Sequence, residues 1–508
     1  IVPRVLEAEG RAEALEAMTA WALALGEPEP CGGECATLPT ELEIAPENGW
    51  IRDPGLLGPQ LAGFLTAVYD NRRETTRQHY VALHPNVANP DFAREDAYGD
   101  LEVVDAGYRL LALFRFWNII EYWFPYRDVL DDDWASVLEE YIPRMMAPGD
   151  DTDEYALALR EVIARVDDTH ANLLGGPDVR PPGTEARVPV RIRYVEGEAV
   201  VVAHTHAEHG PGSGLRVGDV IERVDGAPVD SLFTAWERWY SASNEPTRYL
   251  YMATNVLNGP EGPVTIEGRR ASGPFRTEAL RIPLGEIDQS VRWNDLPGET
   301  FRMLDEDVAY LKLSSVVAAD AADYVRRARD AEVLVIDIRS YPNEFVVFAL
   351  GQHLVSEPTP FARFTRGDLS NPGAFVMGPP VSLQPAEPHF DGRVVILVDE
   401  VSVSQAEYTT MAFRAAPDAI VVGSTTAGAD GNVSPIPLPG ALRSMISGIG
   451  VYYPDGTPTQ RIGIVPDVVV RPTIEGIRAG RDEVLEAGVS RALGRAWRMP
   501  GGSPSSRR

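Results

Sequence analysis

The chain has 508 residues, 44% apolar and 24% charged, which calls for about two to four globular domains and excludes a mainly disordered or fibrous protein. With 46 basic against 75 acidic side chains, the formal net charge is −29, which repels phosphate backbones and excludes nucleic acid as a natural partner. No run of about 20 apolar residues occurs, so no membrane span is expected.

The start, Ile1-Val2-Pro3-Arg4-Val5, has no basic segment leading into an apolar core; it fits a terminus left by signal removal or a trimmed start. Residues 8–26 read as a helix, with Leu15, Met18, Trp21 and Leu25 at spacings of three and four. Residues 27–55, rich in Pro, Gly and Glu, read as irregular and hold both cysteines, Cys31 and Cys35. Two thiols with no histidine near them in sequence cannot complete a tetrahedral zinc site. We read a small local disulfide, with free thiols as the alternative; a disulfide implies an oxidising compartment. A second helical stretch is expected over 56–79.

From Asp105 the text is helical and aromatic (Tyr108, Leu111, Phe114, Trp117, Ile120, Tyr122, Trp123) until Pro125, a band read as core packing rather than a cofactor pocket. Helices near 131–146 and 151–166 follow, ending in Asp167-Asp168-Thr169-His170. Between 186 and 285 short β segments take over, among them 188–194 and 199–203. His204, His206 and His209 follow the second; they read as a polar loop, with a zinc site as the alternative. From 300 to 480 strands and helices alternate. Apolar strands at 308–313, 332–338, 394–398 and 419–423, with helices near 319–330 and 405–415, predict a mostly parallel sheet. A helix near 481–495 and a polar tail, expected to be disordered, close the chain.

In parallel α/β sheets ligand sites gather at the carboxyl ends of strands. Strand 394–398 runs into Asp399-Glu400-Val401-Ser402-Val403-Ser404, with a helix starting at Gln405. Free N–H groups at that helix start stabilise developing negative charge, which gives Ser404 a nucleophile's position. The same serine also reads as an ordinary N-cap.

The wider pattern favours the nucleophile. Ser404-Gln405-Ala406-Glu407, Val421-Val422-Gly423, Thr426-Ala427-Gly428, Ile336-Asp337-Ile338-Arg339, Tyr452-Tyr453-Pro454-Asp455-Gly456 and Gly463-Ile464-Val465-Pro466-Asp467 stand in one order. Ahead of them lies Gly214-Leu215-Arg216-Val217-Gly218-Asp219-Val220-Ile221, with Asp225-Gly226, which resembles the middle of a PDZ domain. Over residues 100–480 the chain resembles the carboxyl-terminal processing (tail-specific) peptidases. The resemblance implies a multi-domain α/β protein. Its expected units are a helical N-terminal region (1–100), a helical part of the peptidase core (101–185), a PDZ-like β-rich module (186–290), an α/β core of the ClpP/crotonase-like type (291–480), and a C-terminal helix and tail (481–508).

Two departures define the expected chemistry. The lysine base of the family's bacterial processing enzymes is missing, because Gly428 is followed by Ala429-Asp430. The only lysine, Lys312, lies in an apolar strand and reads as structural. The chain is closer to the family's tricorn-core-like branch, whose histidine base sits in a motif like Asp168-Thr169-His170-Ala171; His170 is thus the expected base. That branch's orienting glutamate is matched by Gln460, and Asp168 and Glu407 are alternatives for its role; Thr169 and Gln460 are expected to support the base. The glycine-rich oxyanion loop appears as Arg339-Ser340-Tyr341-Pro342-Asn343-Glu344, whose expected donors are N–H groups near Tyr341 or Asn343, with that of Gln405. Without glycines the loop's φ/ψ range narrows, so substrate is expected to set its shape. The resemblance thus implies a bacterial, extracytoplasmic serine endopeptidase acting on unfolded polypeptides or exposed C-termini, with no cofactor or metal. The alternative is a catalytically weak relative that binds peptides or other ligands.

Overall fold

The computed structural model describes residues 1–76, 78–147, 149, 151–292 and 296–500. The polar tail expected to be disordered lies, from 501 on, outside them.

The N-terminal helices are Arg11–Ala24 and Pro54–Asp70, the second kinked at Gly58 (φ 71°) just before Pro59. It stops at Asp70 rather than reaching 79, because apolar spacing gives way to Asp70-Asn71-Arg72-Arg73-Glu74 and Arg73 instead bridges Cys35. Cys31 and Cys35 form a disulfide.

Helices Ala106–Trp123, Trp134–Met146 and Thr152–Ala164 bury Leu110, Phe116, Ile120, Tyr141, Tyr155 and Leu159 in one cluster. Of the aromatic band, Ile120 and Trp123 are buried in this cluster and Phe114, Trp117 and Tyr122 pack against it half-buried, while Leu111, Phe114, Tyr122 and Trp123 line a cavity of about 840 Å³. Ile436, Leu438, Leu442 and Ile446 of the hairpin Val433–Leu438/Leu442–Ser447 belong to the same cluster. This packing brings the end of the third helix, and the Asp168–His170 segment after it, against Ser447.

Residues 186–283 form an antiparallel sheet whose edge strand is Val190–Val195, paired with Glu198–His204. Helix Glu245–Asn255 packs against that edge.

The second large sheet has the strand order Phe301–Met303, Val308–Lys312, Val333–Asp337, Arg393–Val398, Ile420–Gly423, Val468–Val469, parallel except for the first pair. Side chains alternate between its faces. Leu334, Ile336, Val394, Ile396 and Val398 pack towards helices Ala321–Ala328 and Gln405–Arg414. Val333, Val335, Val395 and Leu397 pack towards helix Glu483–Leu493. Burial on both faces explains why these strands read as unbroken apolar runs. No helix among the described residues is long and apolar enough to cross a membrane.

Candidate active site

Strand Arg393–Val398 leads into a turn that is tied down before it reaches Ser404. Asp399 accepts from Val401 N–H at 2.9 Å, and Ser402 Oγ donates to Ile338 O at 2.9 Å. Arg193, on the edge strand of the antiparallel sheet, pairs with Asp399 at 3.1 Å and Glu400 at 3.2 Å. Ser404 itself has φ 57° and ψ −122°, a conformation that costs a non-glycine residue energy and differs from the extended geometry of an ordinary N-cap. Its N–H is shared between Ala429 O at 2.8 Å and Glu407 Oε2 at 3.1 Å.

Glu407 is the pin that holds this conformation. Fully buried, it also accepts from Thr426 Oγ1, from Gly428 N–H at 2.8 Å and from Ala429 N–H at 3.0 Å. It therefore joins the serine turn to the loop 426–430. Burial pushes its pKa up to about 7, against those hydrogen bonds, which favour the charged form.

His170 approaches the same loop from the other side. Thr169 Oγ1 donates to Ala427 O at 3.1 Å, two residues from the carbonyl that receives Ser404 N–H. Thr169 and Ser243 exchange N–H···Oγ bonds at 2.8 and 2.9 Å, and Asn244 Nδ2 donates to Thr426 O at 2.8 Å. Thr169 thus anchors the backbone beside His170 rather than touching its ring. The ring's partner is a residue that the sequence did not flag. His170 Nδ1 lies 2.9 Å from Ser447 Oγ, and Ser447 Oγ lies 2.9 Å from Asp168 Oδ1. Asp168, with no exposed surface, also accepts from Ser447 N–H at 2.6 Å, His170 N–H at 3.1 Å and Gln460 Nε2 at 3.3 Å. Since the single Ser447 hydroxyl proton goes to the carboxylate, Nδ1 carries the imidazole proton and Nε2 is left as the basic nitrogen. Burial lowers the His170 pKa below 6.5, with the nearby Asp168 carboxylate, 3.8 Å from Nδ1, opposing it. Gln460 therefore touches the acid, not the imidazole, and Glu407 belongs to the serine turn. Among the hydrogen bonds of the described residues, none joins His170 to Ser404.

The loop 339–344 is held without glycines. Arg339 is buried between Asp337 at 2.7 Å and Asp482 at 2.9 Å. Asn343 N–H is donated to Leu313 O at 2.8 Å and Asn343 Nδ2 to Val316 O at 3.3 Å. Gln405 Nε2 donates to Glu344 O at 2.9 Å, and Glu344 accepts from Ala318 N–H at 2.8 Å. These bonds hold the loop in the shape seen here, with Asn343 N–H engaged on Leu313 O. The N–H groups of Tyr341 and Gln405 have no hydrogen-bond partner among the described residues, and both residues line a cavity of about 490 Å³ with Ser404.

The remaining candidates have local roles. Lys312 Nζ donates to Leu296 O at 3.2 Å. His204 Nε2 lies 3.0 Å from Leu215 O, and His206 Nδ1 accepts from Glu208 and His209 N–H, so these nitrogens are engaged within their loop.

Residues 352–470 match the model of peptidase family S41. A tricorn protease homolog of Streptomyces coelicolor is 23% identical over 403 residues, which are 71% of this chain and 30% of the relative. The chain thus spans less than a third of that relative's length. Among solved structures, mature CPAF complexed with lactacystin covers 73% of this chain and 95% of its own, with TM-score 0.56 and 14% identity; mature CPAF alone gives the same figures except 94% of its own length. At that identity the likeness concerns the fold. Residues 352–470 thus resemble the peptidase family S41 domain, and the rest of the likeness is one of fold.

Proposed function

We propose that the chain is a serine endopeptidase in which Ser404 attacks a peptide carbonyl and His170 Nε2 takes the hydroxyl proton. The observation that carries this reading is the pair of segments bound to one loop: Ser404, in a strained turn at a cavity wall, on Ala429, and the His170 segment on Ala427. The Ser404–His170 hydrogen bond then forms when substrate engages, as catalytic bonds that are long in the free enzyme commonly do. The N–H groups of Gln405 and Tyr341 hold the oxyanion. Asp168, through Ser447, keeps the imidazole in its reactive tautomer.

The antiparallel sheet serves as a PDZ-like module, and residues 291–480 as a core of the ClpP/crotonase-like type. Strand Val190–Val195 is an open sheet edge, and a groove of about 600 Å³ lies between it and helix Glu245–Asn255, a geometry that accepts an extended peptide as an added strand. Unfolded chains or exposed C-termini are the expected substrates. The Cys31–Cys35 disulfide supports an oxidising, extracytoplasmic location.

Casein hydrolysis by the wild type, compared with Ser404→Ala and His170→Ala, tests the assignment. Loss of at least about 1,000-fold in kcat for each variant is expected. Full activity in both would overturn it.

A further inference from the structure

The cavity at Ser404 contains one acid whose presence the chemistry above does not use. Asp430 is 2% exposed and lines the cavity wall. Its Oδ1 accepts from Gly431 N–H at 2.7 Å, but its Oδ2 is buried with no hydrogen-bond partner among the described residues. The other walls mix apolar side chains (Tyr341, Phe345, Phe364, Tyr408, Ile449) with the uncharged polar Asn86, Gln405 and Asn432. Tyr408 is packed between Phe345 (ring centroids 6.2 Å apart) and Phe364 (5.6 Å). Among the described residues no lysine, arginine or histidine lines the cavity.

We propose that this cavity is a substrate side-chain subsite selective for a cationic residue, arginine or lysine, whose head group pairs with Asp430 Oδ2. A buried acid oxygen without a partner costs free energy that an apolar side chain would leave in place. A guanidinium or ammonium ion removes that cost with a charge-assisted hydrogen bond, and its stem and charge suit aromatic walls. A substrate carboxylate is disfavoured in a wall that already holds Asp430, whose ionisation the nearby Glu407 makes more costly. Burial holds the Asp430 pKa well above the usual carboxylate range in the empty site, and a bound cation, by pairing with it, favours release of its proton.

The inference rests on Ser404 being the nucleophile, so its test has one arm that needs no turnover. The first arm compares kcat/KM for two otherwise identical peptides with arginine or norleucine preceding the cleaved bond. A ratio above about tenfold in favour of arginine is expected, falling at least about tenfold in Asp430→Asn. Cleavage of the norleucine peptide at an equal or higher rate would overturn the subsite and leave the peptidase reading intact. The second arm measures binding of the same peptides to Ser404→Ala by calorimetry, where arginine is again favoured about tenfold. If the wild type cleaves neither peptide, the peptidase reading fails on these substrates, and the binding ratio alone decides the subsite. Equal binding overturns it.

Discussion

The Nδ1 nitrogen of His170 lies 2.9 Å from the hydroxyl of Ser447, at the end of a hairpin strand 277 residues further along the chain. That hydroxyl donates its own hydrogen bond to Asp168, so a serine stands between the imidazole and the acid. The Asp168 carboxylate therefore reaches the His170 imidazole at 3.8 Å by charge, and through the serine it fixes the tautomer, rather than by direct contact.

Removing the intermediary separates these two effects. In Ser447→Ala, Nδ1 loses its acceptor while Asp168 keeps the Gln460 and backbone donors. A fall in kcat of about 10- to 100-fold with little change in KM is expected, with partial rescue by Ser447→Thr. A change in KM alone would show that Ser447 shapes the substrate site instead.

The pH profile follows from the burial of His170. Its pKa is lowered below 6.5, so the neutral, reactive form prevails at and above neutrality. The acid limb of kcat/KM should therefore have an apparent pKa below 6.5. For stability, a depressed pKa gives a contribution that is present above 6.5 and is lost as the pH falls through the lower folded value. Comparing urea midpoints of the wild type and His170→Gln across that range measures it.

Glu407 gives the opposite slope. Its folded pKa of about 7 exceeds the ordinary 4.5, so its contribution is fully present below 4.5 and is lost as the pH rises through about 7. Glu407→Gln should remove this slope. It also sets an amide NH2 against backbone donors that now meet carboxylate oxygens, costing about 1–3 kcal/mol in thermal unfolding. Activity should fall with it, because the φ of Ser404 loses its pin.

Lys312 offers a control on the identity of the base. Its ammonium is used on Leu296 O, away from the serine turn. Lys312→Met should retain full specific activity on casein per folded molecule. Loss of activity at unchanged stability would bring a lysine base back into consideration.

The elements that position the site were legible because their signals are local. Strand 394–398 and helix 405–415 follow from apolar runs and spacing, and a serine between them sits at a strand's carboxyl end wherever the rest of the chain goes. The Asp-Thr-His segment was legible too, as a motif at a helix end. Residues 71–79 carry no strong breaker, so the sequence alone does not mark the end of helix Pro54–Asp70; that end is set by loss of apolar contact.

What the sequence by itself determined is the order of the elements, the two-faced burial of the central sheet, and the presence of one serine and one histidine in suitable turns. Tertiary structure alone decided what those residues meet. Ser447 ends an ordinary strand, Asn343 stands in a loop without glycine, and Asp430 is the second residue after a Thr-x-Gly turn. None of the three carries a sequence pattern for its hydrogen bonds. Their roles depend on carbonyls, hydroxyls and cavities contributed by residues tens to hundreds of positions away. Hydrogen bonds are directional and short-ranged, so the partner of a buried donor is fixed only when packing brings two distant segments within about 3 Å.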